Sequence, residues 1–164
     1  MIPQTQVAKS LHDEHVAVIA LMERLGNTVS TALENSDPQA LTRLLTDVLA
    51  AIEGEIIPHF DFEEQHLFPI LDDEGAGDLS ELLSDEHVVI RALSDQVKLS
   101  AKLLLDNDFS AEAWNRFKQP AFEFSDRLSA HASMEEAGLI PLLDDLIDED
   151  QDSGIMEHRW NQGG

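Results

Sequence analysis

Two stretches of the chain set an imidazole and a carboxylate at a spacing that can grip a cation. His59-Phe-Asp-Phe-Glu63-Glu64-Gln-His66 and His131-Ala-Ser-Met-Glu135-Glu136 each contain His-x-x-x-Glu. On a helix, residues four apart share a face, with Cβ atoms about 5–6 Å apart. Such a pair can reach one metal ion, or one ion and its neighbour. Alone the motif is weak, because 33 of the 164 residues are Asp or Glu. The stronger signal is a repeat. His15 and His87, His59 and His131, and Glu63 and Glu135 are each separated by 72 residues (87 − 15, 131 − 59, 135 − 63). Asp13-Glu14-His15-Val16 returns as Asp85-Glu86-His87-Val88, Glu63-Glu64 as Glu135-Glu136, and Pro69-Ile-Leu-Asp-Asp73 as Pro141-Leu-Leu-Asp-Asp145. The repeat also acts as a filter. His12 corresponds to Ser84, His66 to Gly138 and Pro58 to Ala130, so these three are private to the first half.

The repeated groups are His15, His59, Glu63, His87, His131 and Glu135. Burying two carboxylates without strong partners costs several kcal/mol each, and they would protonate instead. Cations remove that cost. Six N and O donors exceed what one tetrahedral zinc takes. They suit two iron ions, or manganese, at the roughly 3.5–4 Å separation of two-metal sites. Glu63 and Glu135 would bridge, the imidazoles would divide two per ion, and a solvent-derived oxo or hydroxo bridge would add a donor. One position per ion is then left for a small exogenous ligand.

Four long helices must bring these groups together. In the first, about residues 5–34, Leu11, His15, Val18, Met22, Leu25 and Val29 alternate steps of four and three, the stripe of a core-facing helix. His12 and Glu14 fall off it. Asp37 as N-cap and Pro38 at the first helical position open the second, which runs to about Asp72. Its stripe is Ile52, Ile56, His59, Glu63, His66 and Ile70, and Pro58 is expected to kink it. A glycine-bearing turn comes next, and Asp78-Leu-Ser-Glu81 resembles a capping box opening the third helix. That helix carries Leu83, His87, Ile90 and Val97 and fades at Leu105-Asp-Asn-Asp. Ser110 caps the fourth, whose face is Phe124, Leu128, His131, Glu135, Gly138 and Leu142, with a bend expected near Pro120. No segment alternates like a strand. The expected architecture is all-α: an up-down-up-down four-helix bundle over residues 1–147, built as a two-fold repeat of helical hairpins. Residues 148–164 read as a loose, flexible acidic and polar tail, and His158 and Trp160 within it receive no role.

The formal net charge of −23 argues against nucleic acid or an anionic membrane surface as partner. There is no apolar run long enough to span a membrane. Cysteine is absent, which removes disulfides and thiolate ligands. With no signal-peptide pattern, the expected location is the cytoplasm. Tyrosine is absent as well, which removes tyrosyl-radical chemistry. The oligomeric state is not legible.

The order His15, then His59-x-x-x-Glu63, then His87, then His131-x-x-x-Glu135, with Glu-Glu-x-x-(Leu/Ile)-(Phe/Ile)-Pro at each second motif, resembles the hemerythrin-like HHE cation-binding domain over about residues 8–146. The resemblance implies a four-helix bundle around an oxo-bridged non-haem di-iron site that meets dioxygen, nitric oxide or peroxide. It assigns the metal ligands to His15, His59, Glu63, His87, His131 and Glu135. Two positions depart from the oxygen-carrying hemerythrins. Arg91 stands where they have a second histidine four after the first on the third helix, and the fourth helix has His-x-x-x-Glu in place of His-x-x-x-x-Asp. The missing fifth histidine argues against reversible oxygen carriage. His66, one turn past Glu63, is a candidate substitute or a residue at the rim. Gly138 opposite it in the repeat leaves either ligand space or a close helix contact. Three functions are compatible with this pattern: binding or sensing of a small oxidising ligand, a di-iron enzyme of peroxide-decomposing or oxidase type, or a bundle that metal merely supports.

Overall fold

The computed structural model describes the backbone of residues 2–106 and 109–163, with side chains for residues 2–106 and 109–159. Among these the chain is all-α, without a strand. We label the helices α1 (Gln6–Val29), α2 (residues 38–73), α3 (Gly77–Asp106), α4 (residues 111–146) and α5 (Glu149–Gly163), with a 3₁₀ turn at Leu33–Asn35. Helix α1 lies along α4, α4 along α3, and α2 against both α3 and α1, which makes a helical bundle. Asn107, Asp108 and the Trp160 side chain lie outside the described residues.

The helix starts obey local chemistry. The Thr5 hydroxyl accepts from the Ala8 N–H at 3.1 Å, the Asp37 carboxylate from Gln39 at 3.2 Å, and the Ser110 hydroxyl from Ala113 at 3.2 Å. Helix α2 ends in a Schellman turn: Gly75 takes φ +83°, and the Ala76 N–H reaches back to the Leu71 carbonyl at 2.7 Å. This turn delivers Ala76 with its carbonyl already accepting from Leu79 and Ser80, at 3.2 and 3.3 Å. The third helix therefore starts at Gly77. Asp78 sits inside its first turn, and the expected capping box at Asp78 does not form.

Helices α2 and α4 are not regular. Three π turns interrupt them, at Ile52–Ile56, Glu63–Leu67 and Glu135–Leu139. Each is followed by a proline: Pro58, Pro69 and Pro141. A proline lacks an N–H and crowds the carbonyl four residues back. One extra residue in the preceding turn relieves that crowding, and the N–H just before each proline bonds five residues back instead. Pro120, by contrast, lies inside an unbroken α-helical run, Ala111–Met134.

The extra residue changes register. Beyond Glu63 the buried positions are Leu67, Phe68 and Leu71, while His66 and Ile70 turn toward the edge. Beyond Glu135 they are Leu139, Ile140 and Leu143, while Gly138 and Leu142 turn out. The stripes read from the sequence hold up to the two glutamates and then rotate away.

Two apolar cores result. One gathers Met22, Leu25, Leu45, Ile52, Ile56, Phe60, Ile90, Phe117 and Phe124. The other gathers Leu11, Phe62, Leu67, Phe68, Leu71, Leu83, Leu139 and Leu143. Each such side chain contributes about 1.5–3 kcal/mol when fully buried. Along every long helix the repeated His and Glu residues fall between the two cores.

The segment after Ile147, expected as a loose tail, contains helix α5, which packs on α1. Its anchor is Asp152, a buried carboxylate that accepts from the Gln6 and Val7 N–H groups at 2.8 and 2.9 Å. The first N–H groups of a helix have no intrahelical partner and carry partial positive charge, so an acid from another segment can hold them. Asp144 does the same for Gln4 and Thr5, at 2.8 and 2.9 Å.

Candidate metal centre

All six repeated residues meet in the polar layer between the cores, and all are buried. Glu63 is 0 % exposed and Glu135 1 %. Both begin a π turn, the local widening that lets a helix carry a following proline. The four imidazole Nε2 atoms converge on the two carboxylates. His59 Nε2 lies 3.3 Å and His87 Nε2 3.2 Å from Glu63; His15 Nε2 lies 3.4 Å and His131 Nε2 3.0 Å from Glu135. His87 and His131 bring their Nε2 atoms within 3.1 Å of each other. The donor atoms fall into two overlapping sets, His15, His59, Glu63 and Glu135, and His87, His131, Glu63 and Glu135, each within 4.8 Å across. The glutamates belong to both.

Close as these atoms are, none of the four Glu63 and Glu135 oxygens receives a well-directed hydrogen bond from the described residues, and His15 Nε2 has no partner among them either. Buried carboxylates without donors are costly. Burial and the Glu135 charge push the Glu63 carboxyl well above the usual range. Burial opposes the charge on Glu135, but the close approach of Glu63, His131, His15 and His59 holds its carboxyl well below that range. Without a cation, the two acids oppose each other's charge across a buried layer. The residues fit a metal pair. Donors on one ion at about 2.1 Å, near right angles, lie about 3 Å apart, which is the spacing of these atoms.

A ring of carboxylates that lies off the helix stripes orients the imidazoles. His15 Nδ1 faces Glu136 at 2.7 Å, His87 Nδ1 faces Glu64 at 2.9 Å, and His131 Nδ1 faces Glu86 at 2.6 Å. His59 Nδ1 faces Glu14 at 3.6 Å, beyond hydrogen-bond length. An Nδ1–H held by a carboxylate fixes the tautomer and turns the Nε2 lone pair inward, as in metal sites generally. This ring repeats too: Glu14 corresponds to Glu86 and Glu64 to Glu136, 72 residues apart (86 − 14, 136 − 64). Arg91, which stands in place of a further histidine, joins the ring by binding Glu64 at 2.6 Å and Asp61 at 2.9 Å.

A family model for the hemerythrin HHE cation-binding domain matches residues 6–143. The chain belongs to that family. No curated protein matches it. Within this HHE domain His12 serves the ring, sharing Glu136 with His15 at 2.9 Å. His66 belongs to neither donor set. It is half-buried, its Nε2 has no partner among the described residues, and its ring packs 4.5 Å from His158 of α5. A Cβ built at Gly138 meets nothing within 4 Å, so no close helix contact requires that glycine. Helix α5 lies beyond the matched residues.

A cavity of about 330 Å³ opens on one side of the HHE centre, between α1, α2 and α4. Its floor is His15, His59, His131 and Glu135; Val18, Ile56, Phe60 and Leu128 wall it. Glu63 and His87 do not line it.

Proposed function

We propose that the protein binds two iron ions, with manganese as the alternative, and uses them to bind or sense a small oxidising ligand: dioxygen, nitric oxide or peroxide. His15 and His59 would hold one ion, His87 and His131 the other, with Glu63 and Glu135 shared between them. The observation that carries this is the pair of buried, donorless carboxylates common to both donor sets. When bound, such a metal pair supplies electrons and open coordination positions. The chain's own residues do the rest. Glu136, Glu64 and Glu86 hold Nδ1 protons so that three Nε2 atoms face inward. Phe60, Ile56 and Leu128 give the cavity an apolar wall, on the side from which a small ligand would approach. An absence of cysteine fits a cytoplasmic setting.

The test is metal content followed by oxygen response. Purified protein should carry two ions per chain. His87→Ala should lose about half of them, whereas His12→Ala should load fully with affinity lowered less than tenfold, because it reaches the centre only by sharing Glu136. Reduced anaerobically and then given oxygen, a ligand-binding centre shows a reversible visible band, and a sensor or enzyme an irreversible change to the oxidised spectrum. Folded protein that takes up no iron or manganese would end the proposal. A second reading, a peroxide-decomposing or oxidase-type enzyme, is favoured by the cavity, which is far roomier than a diatomic needs. Rapid loss of added peroxide would select it.

A further inference from the structure

The ring of orienting carboxylates is two-fold in sequence but not in geometry. Three of its contacts span 2.6–2.9 Å; the fourth, Glu14 to His59, spans 3.6 Å. Its counterpart in the repeat, Glu86, has His131 as its ion-pair partner and holds it at 2.6 Å. Glu14 differs from Glu86 in that Arg159 of α5 binds its Oε1, the oxygen away from His59; Glu64 is bound by an arginine too, but there Arg91 shares the Oε2 that faces His87. Its other oxygen, Oε2, is the one facing His59, and it is buried with no hydrogen-bond partner among the described residues. Arg159 is itself held in place. Its guanidinium lies over the Phe62 ring at 4.3 Å, and Asp152 fastens α5 to the start of α1 two turns earlier.

We propose that Arg159 is a positioning residue of the metal centre: carried by a helix outside the family's common domain, it holds Glu14 back from His59 and so makes the His15–His59 side a weaker donor set than the His87–His131 side. This rests on the metal reading above. A carboxylate on Nδ1–H makes an imidazole a stronger donor, and altering such a partner typically changes metal affinity by 10–100-fold. His59 is the one histidine of the four denied a full bond of this kind. Both His15 and His59 lie on the floor of the cavity, against His131 alone of the other pair, so the ion Arg159 adjusts is the one with more of its donors facing the cavity.

The experiment uses the full chain loaded with iron, with two ions per chain verified first; failure there would strike the metal reading and not this one. Arg159→Gln frees Glu14 to close on His59. One of the two ions should then leave to a chelator about tenfold more slowly, with the other unchanged. The midpoint potential should fall by about 59 mV, the one-electron equivalent of a tenfold change favouring the oxidised state. Arg159→Lys keeps charge and contact and should restore most of both values. The deciding measurement is the double variant. In a Glu14→Gln background, Arg159→Gln should change neither rate nor potential, since its effect runs through Glu14. An unchanged Arg159→Gln single variant overturns the proposal. So does a shift that persists in full without Glu14, which would make Arg159 a remote charge only. Should Arg159→Gln unfold, the Lys variant and Glu14→Gln alone still decide: the latter must speed loss of the same ion, and equal loss of both ions would refute the assignment.

Discussion

His59 and Glu63 compete for protons in the same pocket that would hold a cation. Burial opposes a charge on His59, yet the adjacent Glu63 charge and the carboxylates of Glu135 and Glu14 hold its imidazole well above the usual range. Glu63 is also raised, by burial and by Glu135. Both therefore hold their protons more tightly in the metal-free fold, and both must be free of them to act as ligands. His87 differs. Burial, then the neighbouring His131, pushes it down to about 4, so it is already neutral. Groups raised in the metal-free fold favour that state as pH falls, so apparent affinity rises with pH. Loading should therefore release protons near neutral pH. Calorimetric titration in two buffers of different ionisation enthalpy measures this, and loading that is proton-neutral and independent of pH from about 6 to 8 would contradict it. The six central residues are legible in the sequence because burial and repetition agree on them. Glu14, Glu64, Glu86 and Glu136 are legible only through the repeat. Each is next to one of the six central residues in sequence, about a quarter-turn around its own helix, so a one-helix stripe discards it. It is a neighbouring helix that supplies its histidine.

Helices and turns carry a second kind of information that periodicity cannot. The π turns at Glu63 and Glu135 put an extra residue into each motif helix, and any stripe extrapolated through them misplaces the residues beyond. His66 reads as inner-face in sequence for this reason. A cue to the turns is present, since a proline stands six residues after each glutamate (69 − 63, 141 − 135). Helix α5 escapes a sequence reading for another reason. It is polar, so its apolar pattern is faint, and its docking depends on Asp152 meeting the first N–H groups of α1 across the whole length of the chain. Asp152→Ala removes both bonds and exposes those donors. The expected cost is about 1–2 kcal/mol, the upper range for a lost helix cap. Because Arg159 rides on the same helix, proteolysis within residues 149–163 should accelerate before the bundle itself unfolds. A variant with unchanged stability and unchanged cleavage would mean that α5 is held elsewhere.

The whole molecule carries a formal charge of −23 and two buried acids at its centre, and the two burdens respond to different remedies. Surface repulsion opposes the compact state and is screened by salt, with a Debye length of about 10 Å at 0.1 M. The pair is buried, so salt screens it far less. Sodium chloride should therefore raise the Tm of metal-free protein while leaving the gap to a Glu63→Gln variant intact. That variant, relieved of one acid, should match or exceed metal-free wild type. Bound metal acts on the pair directly. At a free ion concentration of about 1,000 times Kd, binding to the native state alone adds about 4 kcal/mol. For a chain of this length each kcal/mol moves Tm by about 2–4 °C, so roughly 8–16 °C is expected. The gain should survive high salt, because the ions sit where salt screens far less, and it should largely vanish in Glu63→Gln. Differential scanning calorimetry at low and high salt, with and without metal, gives all four combinations. If salt alone reproduced the metal's effect, the acids at the centre would be behaving as surface charges, and the reading of the buried layer as a cation site would fall.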